Sequence, residues 1–205
     1  MDIMIKSILN KENKIMSSIE ERYLSITKII TEGQDSRSED FRNLITHLEE
    51  NTEWLKSPAS CKYHNSFAGG LVEHSVNVAE LSIKFKKFLA PELSIESVAF
   101  CGLMHDIGKI GLYIQKEPTE KQVQYGYPGS IIYNNNLIFM EHEARSLKMI
   151  SEYVKLTDEE WSAIEYHNSP WNEDMRCRFR KNKLMTILQY ADYFSCCYLE
   201  DGGAR

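Results

Sequence analysis

The residues with the clearest potential for chemistry are His105 and Asp106, which lie side by side in the stretch S-V-A-F-C-G-L-M-H-D-I-G-K-I. Val98, Cys101 and His105 recur at helical spacing, so His105 is expected on an apolar helical face. Burying an imidazole beside a carboxylate costs free energy unless the groups are paired or bind a metal. The pair therefore predicts a helix that delivers two metal ligands and then ends, with Lys109 as a cation beside them. The alternative is a solvated helix end at which Lys109 faces water.

Further histidines favour the metal interpretation. The chain contains six histidines, of which His47 sits among polar residues and is expected at the surface. A single buried histidine is usually a satisfied core residue. Several imidazoles and two carboxylates at helix ends or inward faces of one α-domain instead indicate a metal centre, and such groups suit Mn, Fe, Co, Ni and Zn. Besides the His105-Asp106 pair, the residues of this group are His64, His74, His142, His167 and Asp192.

The order of these residues along the chain resembles that of the HD-domain phosphohydrolases. The H…HD…D signature of that superfamily is matched by His74, His105-Asp106 and Asp192. The segment H-N-S-F-A-G-G-L-V-E-H-S (64–75) resembles YhaM-type HD exoribonucleases and related phage HD proteins. H-D-I-G-K (105–109) is similar both to those enzymes and to the cyclic-dinucleotide phosphodiesterase branch. The resemblance covers roughly residues 57–200.

The resemblance implies a centre for one or two divalent metal ions, with Mn, Fe, Co, Ni, Zn or Mg as the candidates. Two ions about 3.5–4 Å apart can bind a bridging water, lower its pKa and hold a phosphoryl oxygen while the hydroxide attacks phosphorus. Asp106 would bridge the two ions. The implied ligands are His74, His105, Asp106 and Asp192 for one ion, and Asp106, His142 and His167 for the other.

Three residues near the implied ligands are candidates for contact with a substrate. Lys109 lies one helical turn after the His-Asp pair and could reach a phosphate oxygen, although a lysine at a helix end is also favoured by the helix dipole. His64 could contact phosphate or donate a proton to the leaving group. Arg145 lies one turn after His142 and could bind a phosphate, and its alternative is a surface ion pair with Glu141.

One dense basic run is also a candidate for substrate binding. It reads M-R-C-R-F-R-K-N-K at 175–183, between the loop after His167 and the helix of Asp192. At the mouth of a site, Arg176 and Arg178 would attract a triphosphate or a short strand. The alternative is a solvated charge run.

Hydrophobic periodicity predicts a mostly helical chain, with about seven helices and one small β-hairpin. The resemblance implies that these form the all-α helical bundle of an HD domain, with the hairpin as an insertion. Residues 57–200 would form the HD domain, and residues 1–56 would be an N-terminal helical extension that packs on its core. Val123 and Tyr125 are expected in the first strand of the hairpin, and Ile131 to Tyr133 in the second. The expected helices cover about 1–31, 39–56, 71–90, 94–105, 140–155, 158–167 and 182–199.

Composition bounds the class of protein. The chain has 205 residues, of which 42% are hydrophobic and 26% charged, as in an ordinary globular domain. Five cysteines without a C-x-x-C pair favour reduced thiols and a cytoplasmic location. Neither a signal peptide nor an apolar run of membrane-spanning length is apparent, so no membrane partner is expected. The net charge of −6 argues against general coating of nucleic acid, but metal ions can still attract a phosphate-bearing substrate.

Together these observations predict a metal-dependent phosphohydrolase that cleaves a phosphate ester or anhydride of a nucleotide with metal-activated water. The substrate would be a nucleoside monophosphate or a deoxynucleoside triphosphate, because residues 1–56 are helical and not basic, which favours a small substrate over a long strand. A phosphodiesterase is the alternative, either a 3′→5′ exonuclease on short single strands or a cyclic-nucleotide enzyme. An alternative of another class is a catalytically silent metal-binding regulatory module. The first helix could also form a homodimer contact.

Overall fold

The computed structural model describes residues 19–124, 129–168 and 182–200 of the chain. The described part is mostly helical and contains one small antiparallel sheet, which confirms the predicted fold class. The helices are α1 over 19–31, α2 over Ser38–Asn51, α3 over Gly70–Leu89, α4 over Ile95–Met104, α5 over Glu120–Gln124, α6 over His142–Ser151, α7 over Asp158–Glu165 and α8 over Lys183–Phe194. A 3-10 turn covers Ile107–Lys109, and a π-helical turn covers Ser195–Leu199 directly after α8.

The helices that carry the His-Asp signature lie at the centre of the core. Every residue of α4 from Val98 to Met104 is buried, and α4 packs against α3. The two helices approach closely because Gly102 faces Ala79: a Cβ added at Gly102 would lie 2.6 Å from the Cα of Ala79. A larger residue at position 102 would therefore force the two helices apart.

A second close approach brings α6 onto the 3-10 turn. A Cβ added at Gly108 would lie 2.0 Å from the carbonyl oxygen of His142. The backbone N–H of Gly108 donates to Ser146 Oγ over 2.8 Å, which ties the turn to the first part of α6. The residues after the His-Asp pair thus hold the start of α6 against the site.

The N-terminal helices share the core with the rest of the chain. Phe41 of α2 stacks on Phe100 of α4 with ring centroids 4.6 Å apart. Arg22 of α1 donates to Asn77 Oδ1 of α3 over 2.7 Å. The division of the chain near residue 56 into an extension and an HD domain stays a prediction.

The predicted end of the second helix at residue 56 is wrong. Helix α2 ends at Asn51, and the next residue, Thr52, adopts an extended conformation.

The hairpin exists, but its first strand differs from the prediction. Strand β1 covers Tyr113–Lys116 and pairs antiparallel with β2 over Ser130–Tyr133. Ile131 to Tyr133 were thus predicted in the correct strand, whereas Val123 lies in α5. Tyr125 and the predicted turn at 127–128 lie outside the described residues. The prediction was wrong because contacts between residues distant in sequence decide which strands pair. The alternation of apolar and polar residues near Val123, on which the prediction rested, is short.

An ion-pair network joins the start of α2 to α7. Glu160 closes a capping box at the start of α7, in which its carboxylate accepts from the backbone N–H of Thr157 over 2.9 Å. The same carboxylate accepts two hydrogen bonds from Arg37, of 2.6 and 2.9 Å, and one from Ser97 Oγ of 2.7 Å. Arg37 also donates to Asp35 over 2.8 Å. The buried charge of Glu160 is therefore compensated by neighbouring donors.

Among the described residues, none of the helices has the length and apolar character needed to cross a membrane.

Candidate metal centre

Five helices and the 3-10 turn after α4 bring polar side chains to one buried point. Adjacent residues in a regular helix point about 100° apart, so two neighbours face one site only where the helix ends. His105 is the last residue with helical conformation in α4, and Asp106 opens the 3-10 turn with φ −110° and ψ 9°. The other contributors are His74 on α3, His142 at the start of α6, His167 just after α7 and Asp192 on α8.

The two carboxylate oxygens of Asp106 face two separate pairs of imidazoles. Its Oδ2 lies 3.3 Å from His74 Nε2 and 3.4 Å from His105 Nε2. Its Oδ1 lies 3.3 Å from His142 Nε2 and 3.4 Å from His167 Nε2. Asp106 therefore stands between two half-sites, each made of two imidazole nitrogens and one carboxylate oxygen.

Asp192 belongs to the first of these half-sites. Its Oδ1 lies 3.3 Å from His74 Nε2. The Nε2 atoms of His74 and His105 are themselves only 3.3 Å apart. One half-site thus offers two imidazoles and two carboxylates.

The opposite nitrogens of the imidazoles are held by acceptors, which fixes their orientation. His105 Nδ1 lies 2.9 Å from the Gly102 carbonyl, and His167 Nδ1 lies 2.7 Å from the Ile164 carbonyl. A carbonyl can only accept, so in the neutral rings both Nδ1 atoms carry the proton and both Nε2 atoms turn a lone pair to the centre. This is the arrangement found in metal-binding histidines.

Among the described residues, two buried polar atoms in the centre have no hydrogen-bond partner. They are Asp106 Oδ1 and His142 Nε2, which face each other at 3.3 Å without hydrogen-bond geometry. Buried polar atoms are normally hydrogen-bonded. Convergent unsatisfied acceptors therefore fit a bound cation, and the His/Asp cluster could hold a divalent metal ion.

Electrostatics at the centre also suit a cation. Burial opposes ionisation of Asp106, but Lys109 and His105 hold the pKa of its carboxyl well below the usual range. Burial likewise opposes protonation of His74, but the carboxylates of Asp106, Asp192 and Glu200 outweigh it and raise the pKa of His74 well above its usual value. Negative charge is thus concentrated where Nε2 of His74 points, and a metal ion would displace the proton there.

The structure describes three of the five residues that were predicted to contact a substrate. Lys109 Nζ donates to Asp106 Oδ2 over 2.6 Å. The ring of His64 lies 4.9 Å from that of His74, and its Nε2 is buried without a hydrogen-bond partner. Arg145 Nη2 donates to the Ile110 carbonyl over 3.2 Å, while its Nη1 is buried without a partner. Arg176 and Arg178 lie outside the described residues.

Two acids that sequence reasoning did not single out also contact the centre. Glu143 Oε2 lies 3.3 Å from His142 Nδ1. Glu200 Oε1 lies 3.0 Å from His74 Nδ1. Glu143 could have been suspected because it follows a predicted ligand directly. Glu200 sits in a polar stretch near the end of the sequence and carries no local signal.

Comparison with known proteins agrees with this geometry. The domain is mostly helical, and its buried His/Asp cluster lies where several helices meet. The model of the HD domain matches residues 71–195, more than half of the chain, and the chain belongs to this family. The YhaM-type subfamily stays a prediction.

A curated relative covers a smaller part. The chain is 33% identical over 66 residues to a dihydroneopterin 2′,3′-cyclic phosphate phosphodiesterase of Methanocaldococcus jannaschii. The aligned part covers 30% of this chain and 26% of that protein, so the chain spans about a quarter of the length of the relative it matches. No solved structure gives a significant match. Membership of this family supports a metal-dependent phosphohydrolase.

Proposed function

We propose that this protein is a metal-dependent phosphohydrolase that cleaves a phosphate ester or anhydride of a nucleotide. The observation that carries the proposal is the position of Asp106 between two imidazole pairs, at 3.3–3.4 Å on each side. A carboxylate with one oxygen toward each half-site is suited to bridge two divalent ions. The first would be held by His74, His105, Asp106 and Asp192, and the second by Asp106, His142 and His167.

Divalent ions bound there would polarise a phosphoryl oxygen and make a water more acidic. The chain itself supplies the orientation and the remaining charge. Lys109 is fixed beside Asp106 at 2.6 Å and would bring a positive charge to a phosphoryl oxygen next to the centre. The buried, unpartnered Nε2 of His64 would face the same phosphate or its leaving group.

Arg145 would bind a more distant phosphate oxygen. Its guanidinium is anchored to the Ile110 carbonyl through Nη2, which leaves the buried Nη1 as a donor without a partner. A buried donor gains most from an anionic acceptor.

We propose that Arg176 and Arg178 also contact the substrate, as the sequence suggests. We also propose that the first helix forms a homodimer contact.

A cyclic-phosphate phosphodiesterase is the second candidate. The relative from Methanocaldococcus jannaschii is named for action on a 2′,3′-cyclic phosphate. Opening such a ring and cleaving a monoester both require attack of water on a phosphorus, and they differ in which oxygen leaves. The product therefore distinguishes them.

The test is a product assay on the purified protein with Mn²⁺, Mg²⁺, Co²⁺ or Ni²⁺ added in turn. Substrates would be nucleoside mono- and triphosphates, 2′,3′-cyclic nucleotides, cyclic dinucleotides and short labelled RNA and DNA strands. Release of orthophosphate or triphosphate supports the first candidate. Ring opening to a monoester supports the second, and stepwise release of mononucleotides would identify an exonuclease. If no substrate is cut while metal analysis finds the centre occupied, the proposal of an enzyme fails in favour of a binding module.

Lys109→Ala provides a sharper test within this assay. We expect turnover to fall by roughly 10²–10³-fold, because the lost charge would act mainly on the transition state, while Mn²⁺ still binds. Lys56→Ala is the matched control, since Lys56 is an exposed lysine that pairs with Glu53. Equal turnover in the two variants would reduce Lys109 to a helix-end residue.

A further inference from the structure

Glu200 is a buried acid that faces Nδ1 of His74, the ring nitrogen opposite the proposed ligand atom Nε2. Its side chain is fully buried, with 0% exposure. Both of its carboxylate oxygens face His74 Nδ1, at 3.0 and 3.2 Å. The family match ends at residue 195 and does not include it. Burying a carboxylate is costly unless it is paired, so a role for this acid must be sought in its contacts.

Besides His74, two side-chain donors hold the carboxylate of Glu200, and a backbone hydrogen bond fixes the residue itself. Ser195 Oγ and Asn77 Nδ2 both donate to Oε1, the latter over 3.3 Å. The backbone N–H of Glu200 donates to the Ser195 carbonyl over 3.2 Å. Arg22 donates to Asn77 Oδ1 over 2.7 Å, which turns the Asn77 amide so that its NH₂ faces Glu200. A chain of hydrogen bonds thus runs from Arg22 of α1 to His74.

The π-helical turn after α8 makes this contact possible. Asp192 on α8 lies 3.3 Å from Nε2 of His74, while Glu200 lies 3.0 Å from Nδ1 of the same ring. Regular α-helical geometry would rotate two residues eight positions apart by about 80° around the axis. The turn over Ser195–Leu199 changes that rotation and returns the chain to α3. π-helical turns of this kind are often found at functional sites.

We propose that Glu200 is a positioning residue that accepts the Nδ1 proton of His74 and thereby directs the Nε2 lone pair of His74 at the metal ion. The two other buried imidazoles with a fixed Nδ1 use backbone carbonyls for this purpose, namely Gly102 for His105 and Ile164 for His167. His74 uses a carboxylate instead, which raises the basicity of the ring and its affinity for a cation. The inference rests on the metal centre of the proposed function, and not on which substrate is cleaved.

The first experiment measures Mn²⁺ affinity by competition with a fluorescent chelator. Glu200→Met fills a similar volume but removes the acceptor, and we expect it to weaken Mn²⁺ binding by about 10–100-fold. Glu200→Gln keeps an oxygen that can accept from Nδ1, and its loss should be below about tenfold. Glu160→Gln alters an equally buried acid outside the centre and should bind Mn²⁺ as the wild type does. Wild-type affinity in Glu200→Met would overturn the proposal.

The second experiment examines the wild-type protein and does not depend on a variant that folds. Long-range ¹H–¹⁵N spectra of the Zn²⁺-loaded protein distinguish a protonated from a metal-bound imidazole nitrogen. We expect His74 to show a protonated Nδ1 and a metal-bound Nε2. Binding of Zn²⁺ through Nδ1 would overturn the proposal. A protein that binds metal as described but cuts no phosphate would contradict the proposed function and leave this inference standing.

Discussion

Two regions of the chain bury a carboxylate, one at Glu160 and one at Asp106, and the two carboxylates have different partners. Arg37, Ser97 and the Thr157 backbone all donate to the carboxylate of Glu160, and each of these contacts is a normal hydrogen bond of 2.6–2.9 Å. Around Asp106, four imidazole nitrogens stand at 3.3–3.4 Å, and Oδ1 has no hydrogen bond at all.

The difference separates a structural ion pair from a ligand-binding centre. A buried acid whose acceptors are all filled by donors stabilises the fold, because further contacts would add nothing. At Asp106, the donor Lys109 reaches one of the two carboxylate oxygens, and the other oxygen and the converging imidazoles need a cation to complete their contacts. The type of partner therefore indicates function more directly than burial does.

The largest effect is expected at the metal centre. Asp106→Ala removes the only group that faces both half-sites among the described residues, so Mn²⁺ binding should be lost. Turnover should fall by more than the roughly 10²–10³-fold that the loss of one electrostatic donor costs. Metal analysis and the product assay measure both. The helices should persist by circular dichroism, and full activity in this variant would contradict the metal centre.

The converse substitution should affect stability and leave the metal alone. Glu160→Gln removes the charge that Arg37 faces, and we expect the free energy of unfolding to fall by about 1–3 kcal/mol. Urea denaturation measures this loss, which corresponds to roughly 2–4 °C in Tm per kcal/mol. Mn²⁺ affinity and turnover should equal those of the wild type. A loss of metal binding would show that the two regions are coupled.

The smallest expected effect is a change with pH in the stability that the ion pair of Glu160 with Arg37 provides. Burial opposes ionisation of Glu160, but Arg37, the Thr157 backbone and Ser97 outweigh it and hold its pKa below the ordinary value of 4.5. A lowered pKa in the folded state contributes stability that is fully present above pH 4.5, and this contribution is lost as the pH falls below 4.5 and through the lower pKa of the folded state.

The measurement compares wild type and Glu160→Gln by urea unfolding between pH 7 and pH 3, with a chelator present. The difference in unfolding free energy should be constant near neutral pH and should shrink in acid. Titration of the metal-centre groups occurs in both proteins and cancels in the difference. A gap that stays unchanged at pH 3 would mean that Glu160 contributes through packing and not through its charge.

The fold class and the candidate ligands could be proposed from the sequence, because both depend on local signals. Helical periodicity put His74 on an inward face, and a helix end at the His-Asp pair was predicted, which lets His105 and Asp106 face one site. Non-local features were less accessible. The first strand of the hairpin was misassigned because its partner is distant in sequence, and Glu200 was missed because only the π-helical turn brings it to His74.

The close contact between Ala79 of α3 and Gly102 of α4 bears on the radius of the metal ion that the centre could hold. Ala79 and Gly102 let the two helices approach until the Nε2 atoms of His74 and His105 are 3.3 Å apart. The carbonyl of Gly102 also accepts from Nδ1 of His105. A methyl group at position 102 would therefore widen the half-site and favour larger ions. The size of ion that the centre accepts is set partly by a residue that offers it no ligand atom.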